Sequence, residues 1–170
     1  RTRAELVERL DAFAAGEARP GLARGEVVAG EAPGLAFVFP GQGGQWAGMG
    51  KRLLEEHAGF AEAVRACEAA MRPHVGFQVT EVLRAGGAVA GIDVIQPVLF
   101  ALQVGLAALL RGWGVLPRAV IGHSMGELAA AHVAGWLTLE AAARVICVRS
   151  RLLRRSSGQG KDGEKDRDKK

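Results

Sequence analysis

Val120-Ile121-Gly122-His123-Ser124-Met125-Gly126-Glu127-Leu128-Ala129-Ala130-Ala131 passes from two β-branched residues, through a G-x-S-x-G motif, into a helix-forming stretch. A serine on such a strand-to-helix turn is a candidate nucleophile. The two glycines leave the backbone beside it free of Cβ atoms, so a strained elbow can lift Oγ out of the sheet edge. The helix that follows is expected to aim free N–H groups and its positive dipole end at the same place, which favours an oxyanion. Chance matches are frequent in a chain with 24 glycines, so the reading rests on the placement between strand and helix more than on the motif itself.

A second apolar run, Leu35-Ala36-Phe37-Val38-Phe39, ends in Pro40-Gly41-Gln42-Gly43-Gly44-Gln45-Trp46 and reads as a buried strand entering a glycine-rich loop. Taken alone, the loop's glycine content favours a flexible connection. Two loops at the carboxyl ends of two buried strands, however, make a crevice in an open α/β sheet. The order strand, helices, strand, helix favours such a sheet over a helical bundle.

Residues 139 to 155 have the period of an amphipathic helix. Within it, the neighbours of Arg149 at three and four residues are Val145, Ile146, Leu152 and Leu153, all apolar, whereas Arg144 and Arg151 have a polar or terminal surround and read as a solvated face. An arginine on a burying face keeps its charge and needs an anion or several carbonyls as partners. Snorkelling to solvent, or pairing with a core carboxylate, remains the alternative.

Phe37-Val38-Phe39-Pro40-Gly41-Gln42-Gly43-Gly44-Gln45-Trp46-Ala47-Gly48-Met49-Gly50 and Gly122-His123-Ser124-Met125-Gly126-Glu127 together resemble the acyl-CoA:acyl carrier protein transacylases. Within that family they resemble the acyltransferase domains of modular polyketide synthases, over roughly residues 34 to 160. Gly44 departs from the family's usual Ala or Ser, with little expected consequence. The resemblance implies an α/β fold: a large subdomain like an α/β-hydrolase with a parallel sheet, incomplete at the carboxyl end. It implies Ser124 as nucleophile, the backbone N–H groups of Gln42 and Met125 as oxyanion hole, and Arg149, twenty-five residues after the serine, as partner of the free carboxylate of a malonyl-type substrate. Gln96 and His123 are expected to contact substrate. The implied partners are acyl-CoA, an acyl carrier protein with its phosphopantetheine arm, and a neighbouring ketosynthase, with no bound cofactor or metal. Residues 1 to 33 would be the end of the connector from that ketosynthase, a helix over 2 to 15 followed by a linker.

A serine also needs a base, and the chain offers His57, His74, His123 and His132. His123, next to the serine on a strand-like segment, should point the opposite way. His132 lies two turns beyond the elbow and reads as packing or exposed, and His57 and His74 read as surface or satisfied histidines. In the family the base comes about a hundred residues beyond the serine, but 46 residues follow Ser124 here. The chain therefore reads as the amino-terminal half of such a domain, lacking its catalytic histidine, and Arg1 reads as a cut end. Four of five lysines fall in residues 161 to 170, a charged stretch expected to be disordered. The abrupt change of composition after Gly160 reads as an abnormal coding end, with a natural charged linker as the other account.

Composition bounds the class. A chain of 170 residues, 49% hydrophobic and 24% charged, can bury one sizeable core. The net charge of +4 comes partly from Arg144, Arg149, Arg151, Arg154 and Arg155, and reads as a solvated helix face more than a nucleic-acid site, because aromatics are sparse. Cys67 and Cys147 have no metal spacing and read as reduced, packed thiols in a cytoplasmic setting. The apolar stretch Val98 to Leu110 is broken by Gln103 and Gly105 and reads as too short for a membrane span. Helices are expected over 47 to 72, Thr80 to Arg84 and Gln96 to Trp113, with a strand over Arg118 to Ile121.

Ile92-Asp93-Val94-Ile95-Gln96 resembles the segment that separates methylmalonyl-type from malonyl-type acyltransferases, and leans to methylmalonyl. Gly91 and Met125 do not match that pattern. Two other readings stay open: a serine esterase or thioesterase of α/β-hydrolase type, which gives Arg149 no task, and a non-catalytic remnant acting as an interaction surface.

Overall fold

The computed structural model describes residues 2–25, 30 and 34–159, so the expected tail over 161–170 lies outside the described residues. The chain divides into two units at Pro33 and Gly34. In the first, helix α1 (Arg3–Ala15) begins with a capping box in which Thr2 Oγ1 accepts from the Glu5 N–H while the Glu5 carboxylate accepts from the Thr2 N–H. It ends at Gly16, whose φ of 75° is a left-handed cap.

In the second unit, strand β1 (Ala36–Phe39) is followed by helices α2 (Lys51–Glu56), α3 (Ala58–Met71), α4 (Val79–Ala85) and α5 (Ile92–Gly112). Strand β2 (Ala119–Gly122) and helices α6 (Gly126–Val133) and α7 (Leu139–Gln159) complete it. The strands pair in parallel, with Ala36 opposite Ala119 and Phe39 opposite Gly122, which brings both carboxyl ends, and the loops that leave them, to one edge. The fold is α/β with a small parallel sheet.

Several boundaries differ from the sequence expectation, three of them near the site. Residues 47 to 72 are two helices, because Gly48 and Gly50 turn the chain at φ of 83° and 74° and His57 is extended at φ −126°, ψ 103°. Helix α5 starts four residues before Gln96 and carries Pro97 inside it. That proline removes just one N–H, the donor to the Asp93 carbonyl, close enough to the start for the helix to continue. Strand β2 is shifted one residue, to end on the first glycine of the elbow.

Helix α5 is the axis of the core. Val98, Phe100 and Ala101 are fully buried on it, packed with Phe60 and Val64 of α3 and with Ala142, Ala143 and Ile146 of α7. Complete burial of Phe60 and Phe100 contributes about 2 to 3 kcal/mol each. Gly105 is a notch: a Cβ there would lie 2.8 Å from the Phe60 ring. The helix is also longer than the stretch read from sequence. Its 21 residues are long and apolar enough to cross a bilayer by length and composition, but most of the helix's apolar stretch is buried inside the fold. Cys67 and Cys147 are both buried and unlinked, and burial pushes their thiols up to about 12 and about 11.

The strands are not buried on both faces, as their apolar sequences suggested. Phe39 faces the core, but Ala36, Val38, Ala119 and Ile121 on the opposite face are exposed, with the paired Val38 and Ile121 at 65% and 56%. Parallel sheets are ordinarily covered on both faces. Beside β1 lies a groove of about 520 Å³, lined by Phe37, Trp46, Met49, Leu99, Leu102 and Leu106 among others. A bare apolar sheet face predicts self-association of the isolated chain. The double variant Val38→Thr/Ile121→Thr should shift sedimentation velocity toward monomer, and an unchanged oligomer distribution would place the sticky surface elsewhere.

Candidate active site

Among the described residues, Ser124 is the non-glycine with positive φ, at 55°. Such a conformation costs on the order of 1 to 3 kcal/mol and persists where the surroundings over-determine it. The constraint is a close crossing of backbones. A Cβ on Gly126 would lie 2.1 Å from the Phe39 carbonyl oxygen, and one on Gly122 would lie 2.3 Å from the Glu127 Cα. Both glycines therefore let the start of α6 press onto the ends of β1 and β2, and the serine between them is pushed outward. The His123 N–H donates to the Phe39 carbonyl at 3.0 Å and extends the strand pairing to the elbow.

The donors around the elbow differ from expectation. The N–H groups of Gly126, Glu127 and Leu128 donate to the carbonyls of His123, Ser124 and Met125 at 2.9, 3.2 and 3.3 Å, so the first turn of α6 is not a cluster of free donors. The Met125 N–H has no such partner among the described residues, and neither has the Gln42 N–H. Gly41 lets the glycine loop approach: a Cβ there would meet His123 Nδ1 at 3.0 Å and Ser124 Cβ at 3.5 Å. Gly43 and Gly44 face open space. Gln103 of α5 fixes the start of the loop by donating from Nε2 to the Pro40 carbonyl at 2.7 Å.

A chain of side-chain hydrogen bonds links loop, helices and elbow. Arg149 of α7 donates from Nη2 to Ser124 Oγ at 3.1 Å and from Nη1 to Gln96 Oε1 at 2.6 Å, and Gln96 Nε2 donates to Gln42 Oε1 at 3.3 Å. Gln96 is 4% exposed, so both ends of its amide are engaged within the protein. Arg149 is half-buried: Ile146 beside it is buried, whereas Val145 and Leu152, read as part of a burying face, are exposed. Arg144 and Arg151 are exposed, as expected. Among the described residues two of the five guanidinium N–H donors are in use, which leaves three for another acceptor.

The histidines are engaged elsewhere or exposed. His132 Nδ1 lies 3.1 Å from the Leu137 carbonyl, the His57 ring stands edge-on to Trp113 at 5.8 Å, and His74 is half-buried after α3. His123 is exposed, its imidazole alongside Gly41. Among the described residues no group of three or more His, Cys, Asp or Glu side chains could hold a metal ion. Sequence reasoning missed the pair in which Arg154 Nη1 donates to Asp93 Oδ2 at 2.5 Å; its members are 61 residues apart with no local signal to join them.

The family profile described as "Acyl transferase domain" matches residues 36–168, so it takes in both strands, the elbow and Arg149. The chain belongs to this acyl transferase domain family. Erythronolide synthase EryA3 of Saccharopolyspora erythraea is 56% identical over 126 residues, 74% of this chain and 4% of that protein. A loading acyltransferase from the avermectin modular polyketide synthase is 55% identical, with a TM-score of 0.66 over 69% of this chain and 38% of that one. The acyltransferase domain of the polyketide synthase PpsC of Mycobacterium tuberculosis is 45% identical, with a TM-score of 0.69 over 86% and 43%. The chain thus spans less than half of the solved acyltransferase chains it matches, and a small part of the curated synthase.

The glycines of this acyl transferase elbow give a paired prediction. Gly126→Ala must displace the Phe39 carbonyl and should lower unfolding stability by at least about 2 kcal/mol in urea titration, whereas Gly44→Ala should stay within about 0.5 kcal/mol. Equal tolerance at both positions would contradict the crossing.

Proposed function

We propose that the chain carries the acyl-accepting centre of a polyketide-synthase acyltransferase. It would take a dicarboxylic acyl group from acyl-CoA and pass it to the phosphopantetheine thiol of an acyl carrier protein, beside a ketosynthase in the same cytoplasmic protein. The observation that carries this is the Arg149 guanidinium, held by Gln96 and 3.1 Å from Ser124 Oγ: a cation with three donors unused among the described residues, beside a strained nucleophile. An esterase of α/β-hydrolase type has no use for that cation.

In this mechanism Ser124 Oγ attacks the thioester carbonyl and loses its proton to a base. The carbonyl oxygen becomes an oxyanion, and the free N–H groups of Gln42 and Met125 are the donors offered to it, each worth roughly 3 to 4 kcal/mol in such a site. Collapse expels the coenzyme A sulfur, which takes up a proton, and leaves an acyl ester on Ser124. The pantetheine thiol then attacks that ester, its proton passing through the base back to Oγ. The remaining donors of Arg149 grip the distal carboxylate in a bidentate fork, which selects dicarboxylic acyl groups over acetyl. Methylmalonyl is our reading over malonyl, on the Ile92 to Gln96 segment. We read His123, which is exposed next to the nucleophile, as a substrate contact rather than as the base.

The base itself we assign to a histidine other than the four in this chain. Ser124 Oγ has Arg149 as its hydrogen-bond partner among the described residues, and a cation cannot accept the proton. By itself the chain should therefore be a poor transacylase, several powers of ten below a complete domain.

The test is mass spectrometry of the chain fused to the carboxyl-terminal part of a related acyltransferase, after incubation with methylmalonyl-, malonyl- or acetyl-CoA. An acyl increment that vanishes in Ser124→Ala is expected, and labelling that persists would refute the nucleophile. Arg149→Ala should lose dicarboxylic acylation by about a hundredfold or more and gain relative preference for acetyl. Equal loss for all three would make Arg149 structural.

A further inference from the structure

Helix α5 and helix α7 meet through two polar links at the start of α5. Gln96 Oε1 accepts from Arg149, and one turn earlier on the same face Asp93 Oδ2 accepts from Arg154. The Asp93 side chain is 23% exposed and that of Arg154 is 68%. Among the described residues the buried Asp93 Oδ1 has no hydrogen-bond partner. A carboxylate left half-satisfied is a weak device for stability and a better one for fixing geometry. Gly91 makes room for it: at φ 81° a Cβ there would lie 3.0 Å from Asp93 Oδ1.

The position of this pair along α7 matters. Ser150 is fully buried, but from Arg151 to Ser156 every side chain is exposed or half-buried, so apolar packing holds this stretch weakly. The Asp93–Arg154 pair ties it to the helix that carries Gln96.

We propose that Asp93 and Arg154 are a positioning pair for Arg149, fixing α7 against the first turn of α5 so that the Arg149 fork stands between Gln96 and Ser124. This rests on the reading that Arg149 receives the substrate carboxylate. The segment Ile92 to Gln96 then influences substrate choice through α7: Asp93 sets the helix, Gln96 sets the guanidinium, and neither has to touch the acyl group. Gln96 is on this account a positioning residue, since both ends of its amide are used inside the protein.

The pair is tested on the 170-residue chain by side-chain ¹⁵N–¹H NMR, with the Arg149 signal assigned by its loss in Arg149→Lys. The Arg149 resonance should be shifted and slowly exchanging in the parent. It should move to the free-arginine position in Asp93→Asn and in Arg154→Gln, with core methyl signals unmoved, and return in the charge-swapped Asp93→Arg/Arg154→Asp. Arg154 is largely exposed, so its variant keeps the test readable if Asp93→Asn unfolds. An Arg149 signal indifferent to Arg154→Gln, or a folded swap that fails to restore it, overturns the proposal. In the fused, transfer-competent protein, Arg154→Gln should reduce discrimination between methylmalonyl- and acetyl-CoA by about tenfold, through KM more than kcat. If that protein takes no dicarboxylic acyl group at all, the functional reading fails while the NMR result still judges the pair.

Discussion

The start of α6 crosses the end of β1 so closely that the Gly126 Cα has no room for a substituent against the Phe39 carbonyl. The rest of the site depends on that contact. With α6 pressed down, the residue before Met125 cannot continue the strand or begin the helix, and Ser124 takes a left-handed conformation. Its hydroxyl is thrust toward α7, where Arg149 meets it. The first N–H groups of α6 are taken up in the turn, whereas the Met125 N–H has no backbone partner among the described residues.

The electrostatics follow from this geometry. A guanidinium beside a serine would drift in solvent, but here Gln96 holds one of its nitrogens, and Gln96 is itself held by Gln42 of the glycine loop. Loop, nucleophile and cation are therefore registered to one another by three hydrogen bonds among four side chains. The structure places rigid α5 at the hub, since Gln96 stands on the helix whose Val98, Phe100 and Ala101 fill the core.

The parts visible in the sequence were those whose meaning is local. Gly122 and Gly126 flank a serine within five residues, the glycine loop follows a short apolar run, and Arg149 lies in a helical pattern. Contacts between distant elements left no trace: Gln96 reaches Gln42 across 54 residues and Arg149 across 53, and Asp93 finds Arg154 across 61. Pro97 obscured the start of α5, because a proline near a helix start resembles a boundary. Apolar strand sequences signalled burial, but burial depends on which layer covers each face, and Val38 and Ile121 stand on a face left bare among the described residues.

The central claim, a carboxylate grip organised around Arg149, is met most directly by a crystal structure of the fused acyltransferase with a non-hydrolysable methylmalonyl thioester analogue. The account predicts the carboxylate on the Arg149 guanidinium, the Gln96 bond to Arg149 retained, and the thioester carbonyl oxygen facing the N–H groups of Gln42 and Met125. A carboxylate bound elsewhere, with Arg149 still turned to Ser124 Oγ and Gln96, would contradict it.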